Sequence, residues 1–322
     1  MRVLITGAAG FIGRSVWRTL AANGVALTGL GRGAPPPWAA GERWHQADLL
    51  DPGLDLQRIC AGCDAVVHLA ARTHVLRERA TDALAAYRAI NVEASARLAA
   101  AATRAGVRRF VFMSSIKVNG ESTGRAANGD RQMFRSSDAP RPATPYGVSK
   151  WEAEQRLGAI AERDGLELFC LRPPLVHGAG AGANFARLIR LVRSGVPLPF
   201  GAIDNRRSLM YVENLAGAVE RALGADSPGP RCVVLADAAL STPELIRAIA
   251  AAARVAARLF PCPPTVLRVI AGLLGGRAEL ARLSESLLVD AEEARRQIGF
   301  EPRIGFQDAL YASVRGTRPA TG

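Results

Sequence analysis

The feature that most constrains this chain is a glycine-rich turn close to its N-terminus. A short apolar run at residues 2–6 leads into Thr6-Gly-Ala-Ala-Gly-Phe-Ile-Gly13, and a helical pattern then continues to about residue 24. The three glycines allow the backbone to approach a pyrophosphate closely, and the start of the following helix offers amide donors and a favourable dipole to an anion. The order of strand, turn and helix therefore predicts a dinucleotide-binding unit, with the spacing G-x-x-G-x-x-G.

Further apolar runs follow at the spacing that parallel strands require. Residues 25–30, 64–69, 109–113 and 166–172 predict buried strands, each separated from the next by segments long enough for a helix. This alternation predicts an α/β fold with a doubly wound parallel sheet of Rossmann type.

The pattern loosens after Arg172, where two prolines and several glycines follow. We predict a dinucleotide-binding domain at residues 1–172, a smaller mixed α/β part that binds substrate at 173–314, and a tail at 315–322. Segments of the second part are free to return to the first sheet. It is predicted to contain helices at 184–194, 242–257 and 290–298 and a strand at 232–235.

The remaining composition narrows the class of protein. The chain has 41 basic and 29 acidic residues, a net charge of +12, but the basic residues are scattered singly and no aromatic stacking pattern accompanies them. We therefore expect no nucleic-acid partner. The N-terminus enters a strand directly, without a signal-like segment, which predicts a cytoplasmic protein. The apolar run Thr265 to Gly276 contains Arg268 and is too short to span a bilayer, so it predicts a buried or interface helix.

The five cysteines do not form a metal-binding pattern. The close pair Cys60-Ala-Gly-Cys63 has no second pair and no histidine at zinc spacing. Because structural zinc needs four ligands, we expect no metal and a reduced protein.

Two positions stand out because they are lysine in a chain that otherwise uses arginine: Lys117 and Lys150. Lys150 lies four residues after Tyr146, so on a helix the two share a face, and a nearby cation favours the phenolate. The pair predicts a tyrosine acid/base, with Ser115 holding a substrate oxygen; the alternative is an ordinary surface pair. If the chain continues as a strand after Ser115, Lys117 points the same way and reaches substrate; the alternative is a solvated loop lysine.

Together these residues form an ordered set that resembles the extended short-chain dehydrogenase/reductases, and within them the NAD-dependent epimerase/dehydratase family acting on nucleotide-diphosphate sugars. The resemblance covers nearly the whole chain. It is carried by Thr6 to Gly13, Asp48-Leu49, His68-Leu-Ala-Ala71, Asn91, Ser115, Tyr146-x-x-x-Lys150, Arg172-Pro-Pro, Arg207 to Val212 and Gly299-Phe-x-Pro302.

The resemblance implies roles for these positions. Tyr146 would be the acid/base, Lys150 would bind the nicotinamide ribose and lower the tyrosine pKa, and Ser115, chosen over Ser114, would bind the sugar C4 oxygen. Cofactor contacts are implied for Gly7, Gly10, Phe11, Ile12, Gly13, Arg32, Asp48, Leu49, Leu69, Ala70, Ala71, Asn91 and Pro173. Substrate contacts are implied for Asn184, Arg207 and Arg282, with Lys117 added from the argument above.

Two departures from the family pattern bear on the activity. Sugar 4,6-dehydratases carry an acidic pair directly after the catalytic hydroxyl residue, whereas this chain has Ile116 and Lys117, which disfavours dehydration. NAD-preferring relatives place an acid at the end of the second strand, whereas this chain has Gly31-Arg32. An arginine there suits a 2′-phosphate, so NADP(H) is favoured and NAD(H) is the alternative.

The sequence thus predicts a homodimeric oxidoreductase acting at C4 of a UDP-sugar. The segment Ser114 to Glu121 looks most like the branch that acts on UDP-N-acetyl-hexosamine derivatives for bacterial surface polysaccharides, such as lipopolysaccharide. The closest alternative is a UDP-glucose or UDP-N-acetylglucosamine 4-epimerase with retained NAD. A hydroxysteroid-type dehydrogenase and a non-catalytic dinucleotide sensor are the remaining alternatives.

Overall fold

The computed structural model describes residues 1–73, 82–226, 229–273 and 276–317. The strands in these ranges are β1 (Arg2–Thr6), β2 (Ala26–Gly31), β3 (Arg43–Gln46), β4 (Ala65–His68), β5 (Arg109–Met113), β6 (Glu167–Arg172), β7 (Leu175–His177), β8 (Arg207–Tyr211), β9 (Arg231–Val234) and β10 (Ala238–Leu240). The α-helices are α1 (Phe11–Ala22), α2 (Leu56–Cys60), α3 (Ala83–Arg88), α4 (Ser95–Arg104), α5 (Pro145–Asp164), α6 (Ala183–Arg193), α7 (Val212–Gly224), α8 (Thr242–Ala253), α9 (Pro264–Leu273), α10 (Arg277–Ser284), α11 (Glu292–Ile298) and α12 (Phe306–Arg315). Short 3₁₀ turns lie at Pro37–Ala39 and Ile116–Val118, and a π-helical segment lies at Ala89–Ala94.

The main sheet has the order β3-β2-β1-β4-β5-β6-β9, and every pairing in it is parallel. The predicted doubly wound parallel sheet is therefore confirmed. Helices α1 and α7 pack together, as do α2, α4 and α5, and a separate apolar core covers each face of the sheet. The strand order reverses at β1 and β4, so the crevice at their carboxyl ends is the expected ligand site.

The second half contains a smaller sheet of its own, with both parallel and antiparallel pairing. Strand β8 pairs in parallel with β7 and antiparallel with β10. The strand predicted at 232–235 belongs elsewhere, because β9 pairs in parallel with β6, with Cys232 opposite Cys170. This segment of the second half thus returns to the main sheet.

Helix α8 ends earlier than its pattern predicts. The helix stops at Ala253 because Arg254 takes the left-handed conformation, with φ of 57°. At the other end of the chain, α12 runs through Arg315, and the Arg193 guanidinium donates to the carbonyls of Val314 and Thr317 at 2.7 Å each. Contacts therefore extend into the predicted tail, whose residues 318–322 lie outside the described ranges.

Helix α9 differs from the buried helix that its apolar sequence predicts. Leu267 is buried, but Val269 and Leu273 are 64% and 83% exposed. The prediction of a buried helix is therefore wrong for this run, and the prediction of an interface helix stays open. Residues 274 and 275 of the run lie outside the described ranges. No helix among the described residues is long and apolar enough to cross a membrane.

Candidate active site

The glycine turn between β1 and α1 is built so tightly that side chains would not fit. Gly7 has φ of 67°, and a Cβ on it would lie 2.8 Å from the Ala70 nitrogen. A Cβ on Gly13 would lie 2.2 Å from the Gly7 oxygen. Gly10 precedes the first residue of α1 without a side-chain cap. The turn therefore leaves backbone donors at the helix start free of side-chain cover, which fits a dinucleotide pyrophosphate.

A buried histidine fixes the neighbouring strand end. His68 Nδ1 lies 2.6 Å from Thr6 Oγ1, and its Nε2 lies 2.8 Å from Ser95 Oγ. Thr6 Oγ1 also accepts from the Ala70 amide at 3.3 Å. Burial, assisted by the Lys150 charge, lowers the pKa of His68 to about 3, so the ring is neutral. The network holds the segment Leu69 to Ala71 against the glycine turn.

Asn91 connects that segment to α5, the helix that carries Tyr146 and Lys150. It is fully buried in the π-helical segment, a distortion frequent at functional sites. Its Oδ1 accepts from the Arg72 amide at 2.9 Å, and its Nδ2 donates to the Arg72 carbonyl at 3.0 Å and to Ser149 Oγ at 2.9 Å. Asn91 therefore ties the segment after β4 to α5, and the role that the resemblance implies for it stays a prediction.

The other residues implied for the cofactor also lie at the ends of strands of the main sheet. Arg32 directly follows β2 and is exposed, and Leu49 is buried just after β3. Asp48 Oδ1 accepts from the Leu50 amide at 3.0 Å, which fixes the turn after β3. The carbonyl of Pro173, after β6, accepts from the Ile116 amide at 3.0 Å.

Two further cofactor candidates, Phe11 and Ile12, begin α1 and pack against an apolar cluster that contains Tyr211 and Val212. The start of α1 is thereby joined to the second half of the chain. The glycine turn thus lies next to the boundary between the two sheets.

Ser115 and Tyr146 meet because the first turn of α5 packs directly on the loop after β5. Thr144 caps α5, its Oγ1 accepting from the Gly147 amide at 3.3 Å, and a Cβ on Gly147 would lie 2.8 Å from the Lys117 carbonyl oxygen. Ser115 forms a side-chain hydrogen bond with Tyr146. The neighbouring hydroxyl of Ser114 is buried without a hydrogen-bond partner. The structure thus brings Ser115, and not Ser114, to the tyrosine.

Lys150 lies one turn after Tyr146 on α5 and is buried. Its ammonium donates to the Met113 carbonyl at 2.7 Å and lies 4.4 Å from the centre of the Phe112 ring. Burial lowers the pKa of Lys150 to about 7, against the opposing charge of Glu154.

The phenol pKa differs from the sequence-based expectation. Desolvation raises the pKa of Tyr146 to about 12, and the hydrogen bond with Ser115 only partly opposes this shift. The expected lowering by Lys150 is therefore wrong for this structure. The reason is that the Lys150 ammonium donates to a backbone carbonyl in a buried site. Loss of water disfavours both the ammonium and the Tyr146 phenolate.

Lys117 has a different environment from either alternative considered from the sequence. Residues 116–118 form a 3₁₀ turn, so the strand-like continuation was wrong. The Lys117 ammonium forms an ion pair with Glu121, and its side chain is 18% exposed, which also excludes a solvated loop lysine. Glu121 in turn accepts from Thr144 Oγ1 at 3.2 Å, so the pair is linked to the cap of α5.

Sequence reasoning missed several residues next to this cluster. The Tyr87 ring packs edge-to-face on Tyr146, with centroids 6.1 Å apart, and no sequence signal indicates that contact. Glu154 follows Lys150 by one helical turn, a spacing that could have been noticed. It forms a buried bidentate pair with Arg172 at 2.9 and 2.5 Å, and Arg172 also donates to Asn119 at 3.1 Å.

The predicted substrate residues come from three separate elements. Arg207 begins β8 and donates to the Glu285 carbonyl at 3.0 Å. Burial lowers its pKa, and the charges of Glu285, Glu121 and Arg282 all act on it. Arg207 and Arg282 are therefore neighbours. Asn184 is exposed at the start of α6.

His177 has an ordinary packing role in the core. His177 is buried among the rings of Phe185, Tyr211 and Phe306, and its Nδ1 lies 3.0 Å from Ser313 Oγ. Burial lowers its pKa to about 4, which suits a neutral core histidine.

The side chains of Glu154, Cys170 and Cys232 lie within 4.8 Å of one another, close enough to hold a metal ion. The Arg172 guanidinium already occupies the Glu154 carboxylate and contacts the Cys232 sulfur at 3.6 Å. A hydrogen bond with the Cys232 thiol, followed by burial, raises the pKa of Cys170, so its thiol form is favoured. A divalent cation would meet a fixed positive charge and a neutral thiol there, and we assign no metal to this cluster.

The Rossmann sheet, the glycine turn and the serine, tyrosine and lysine cluster define the class: an extended short-chain dehydrogenase/reductase. Residues 3–236 match the model of the NAD dependent epimerase/dehydratase family, and the chain belongs to this family.

Relatives with named activities are similar over almost the full length. The chain is 32% identical to a UDP-glucose 4-epimerase of Vibrio cholerae, covering 97% of this chain and 94% of that protein. It is 29% identical to a 2-alkyl-3-oxoalkanoate reductase of Stenotrophomonas maltophilia (strain K279a), covering 96% and 97%. Among solved structures, MoeE5 in complex with UDP-glucuronic acid and NAD matches with a TM-score of 0.77 and 28% identity, covering 99% of each chain.

Proposed function

We propose that this enzyme acts at C4 of a UDP-sugar and that its net reaction is 4-epimerisation. The observation that carries the proposal is the cluster of Ser115, Tyr146 and Lys150 at the carboxyl end of β5, in a chain 32% identical to a UDP-glucose 4-epimerase. The sequence alone favours a reductase at the same carbon. Similarity to the 4-epimerase and to MoeE5 with NAD bound supports placing epimerisation first.

Each member of the cluster has one task in this proposal. Tyr146 removes the proton of the C4 hydroxyl and returns it when the keto group is reduced. Ser115 hydrogen-bonds the same oxygen and the phenol, which orients both. Lys150, one helical turn after Tyr146, holds the nicotinamide ribose. A dinucleotide held by the glycine turn and Lys150 would supply the hydride chemistry at C4.

The glycine turn fits the dinucleotide, since Gly7 and Gly13 let the turn pack closely on Ala70 and on itself, and the start of α1 has no side-chain cap that would compete with a pyrophosphate. Asn91 and the segment after β4 hold the neighbouring wall of the site. Arg207 and Arg282 supply two positive charges suited to the sugar diphosphate, and we retain Asn184 as a sugar contact.

Elimination of water is disfavoured by the residues after Ser115. Ile116 is buried and apolar, and Lys117 is bound to Glu121. The nearest carboxylate along the chain, Glu121, is shared between Lys117 and Thr144. A dehydratase needs acidic groups free to move a proton at this place, and these two positions lack them.

A second candidate is a 4-keto-sugar reductase that exchanges NADP(H), acting on an N-acetyl-hexosamine derivative in surface-polysaccharide synthesis. Arg32 favours it, because an exposed arginine directly after β2 suits a 2′-phosphate. For either candidate, we propose that the protein is a homodimer in the cytoplasm.

One experiment separates the two candidates. The protein is purified, its bound nucleotide is identified, and UDP-glucose, UDP-N-acetylglucosamine and UDP-glucuronic acid are each incubated with it, with and without added NAD. Formation of the C4 epimer without net change in nicotinamide absorbance supports the epimerase. Consumption of NADPH by a UDP-4-keto-sugar, with the preference over NADH removed in Arg32→Ala, supports the reductase. Absence of both reactions would contradict activity at C4.

A further inference from the structure

The exposed apolar face of α9 has no role in the proposed reaction. This α9 face consists of Val266, Val269, Ile270 and Leu273, which are 45%, 64%, 46% and 83% exposed. Their spacing of three, four and seven residues places them on one side of the helix. The helix is anchored by Leu267, which is buried with Ile203 and Leu280.

The chain segment that contains the α9 face is basic. Residues 245–278 contain five arginines and not one acidic residue or lysine. Arg254, Arg258 and Arg268 are exposed, as is the ring of Phe260 at 45%. An aliphatic face with an adjacent aromatic ring and flanking arginines is the composition of helices that lie in the interface of an anionic membrane.

A second copy of this chain is a poorer occupant. In a two-fold symmetric contact, the same surface faces itself, so each flanking arginine would approach its own copy. Residues 245–278 offer no carboxylate to neutralise them. The four side chains of the α9 face together with Phe260 also cover less than the roughly 800 Å² per partner of a standard interface.

We propose that the α9 face binds the surface of a membrane containing anionic lipids, with the aliphatic side chains inserted among the acyl chains and the arginines at the phosphates. Such binding is peripheral and reversible. Helix α10, which packs on α9, carries Arg282, so the contact would place the substrate-binding part of the chain towards the lipid surface. The inference does not depend on the identity of the sugar.

The test uses the purified full chain and sedimentation with vesicles of phosphatidylcholine, with and without phosphatidylglycerol. Binding is expected only with phosphatidylglycerol and should weaken as salt rises, because exposed charges are screened. Arg268→Glu should weaken binding by at least roughly fivefold, the equivalent of one basic charge at such a surface. Val269→Asp combined with Leu273→Asp should abolish it.

The matched control is Tyr311→Asp, which adds a negative charge at a 42% exposed aromatic residue on α12. It should bind vesicles as the wild-type protein does. Thermal unfolding and dinucleotide titration verify that each variant is folded. Equal vesicle binding by the wild type and the double variant, or no dependence on phosphatidylglycerol, would overturn the proposal. So would a wild-type dimer that ignores vesicles and becomes monomeric in the double variant, which would show a second copy on the α9 face.

Discussion

The two halves of the chain hold their candidate residues in different ways. In the first half, Asn91, Ser115 and Lys150 are at least nine-tenths buried, and side-chain contacts with neighbouring elements fix them. In the second half, Asn184 and Arg282 are exposed on separate helices. The difference teaches that the main sheet and the helix packed on it fix the candidate catalytic residues, whereas the sheet does not set the positions of the candidate substrate residues.

The largest effect is expected from Tyr146→Phe, which removes the ionisable oxygen of the first half and keeps the ring. Turnover should fall by about 10²- to 10⁴-fold, the usual contribution of a general acid/base. Dinucleotide affinity, measured by fluorescence titration, should stay close to the wild-type value. The control is Tyr87→Phe, which keeps the ring packed on Tyr146, removes the hydroxyl that donates to the Thr73 carbonyl, and leaves the Tyr146 phenol in place. A loss below about tenfold in Tyr146→Phe would refute the role of the phenol.

The second prediction contrasts a buried ion pair of the first half with an exposed pair of the second. Arg172 and Glu154 side chains are each 2% exposed, so Arg172→Met leaves a buried carboxylate without its cation. The free energy of unfolding should fall by about 3–5 kcal/mol. Arg206 pairs with Glu244 at 43% and 44% exposure, and Arg206→Met should cost at most about 1 kcal/mol. Chemical denaturation measures both, and equal losses would remove the distinction between the halves.

The residues that could be predicted are those whose signal is local. The glycine turn is encoded within eight residues, and Tyr146 and Lys150 meet the same site because a helix repeats every turn. The strand periodicity likewise predicts the main sheet. Arg172 was noticed only as part of a motif, since its partner Glu154 lies on a different element and the pairing depends on how α5 packs on β6.

Other features escaped for the same physical reason. The 3₁₀ turn that directs Lys117 to Glu121 depends on the Pro173 carbonyl binding the Ile116 amide, a contact between distant parts of the chain. The sequence left open that segments of the second half return to the main sheet, but which segment does so depends on the pairing of β9 with β6. Apolar periodicity also cannot separate a buried helix face from an exposed one, which is why the sequence predicts a buried or an interface helix at α9 and only the structure excludes the buried one.

The third prediction concerns the stability cost of the buried lysine. Its pKa is about 7 in the folded protein and 10.5 as the reference value, so between these values the unfolded chain binds more protons. The lysine contribution to stability therefore rises with pH through this window. Lys150→Met removes the cost of burying this charge. The variant should therefore be more stable than the wild type at pH 7, by a few kcal/mol at about 1.4 kcal/mol per pKa unit.

That advantage should shrink as the pH rises towards 9, and activity should be lost throughout. Denaturation at several pH values measures the difference between the two proteins, which cancels the other titrating groups. A difference that does not change with pH would contradict the lowered pKa of Lys150.

The fourth prediction tests the second half through Arg207. If its guanidinium binds the sugar diphosphate in both ground and transition states, Arg207→Ala should raise KM by roughly tenfold to a hundredfold, as expected for loss of a charged hydrogen bond, with little change in kcat. Thermal stability should change little. The adjacent Arg206→Ala serves as control, since Arg206 is engaged with Glu244. An unchanged KM in Arg207→Ala would remove this residue from the substrate site.

The smallest effect is expected at Lys117, which lies where the two halves meet. Its partner Glu121 contacts Thr144 at the cap of α5 and acts electrostatically on Arg207. The pair is partly exposed, so its loss in Lys117→Met should cost less than about 1 kcal/mol of stability.

If the lysine acts by positioning the start of α5, Lys117→Met and Glu121→Gln should lower kcat by a similar factor, less than about tenfold, because Tyr146 is misaligned in both. If it binds the sugar nucleotide directly, only Lys117→Met should raise KM. We expect the first result, because the ammonium is already bound to Glu121, and unchanged kinetics in both variants would leave the ion pair without a role in the reaction.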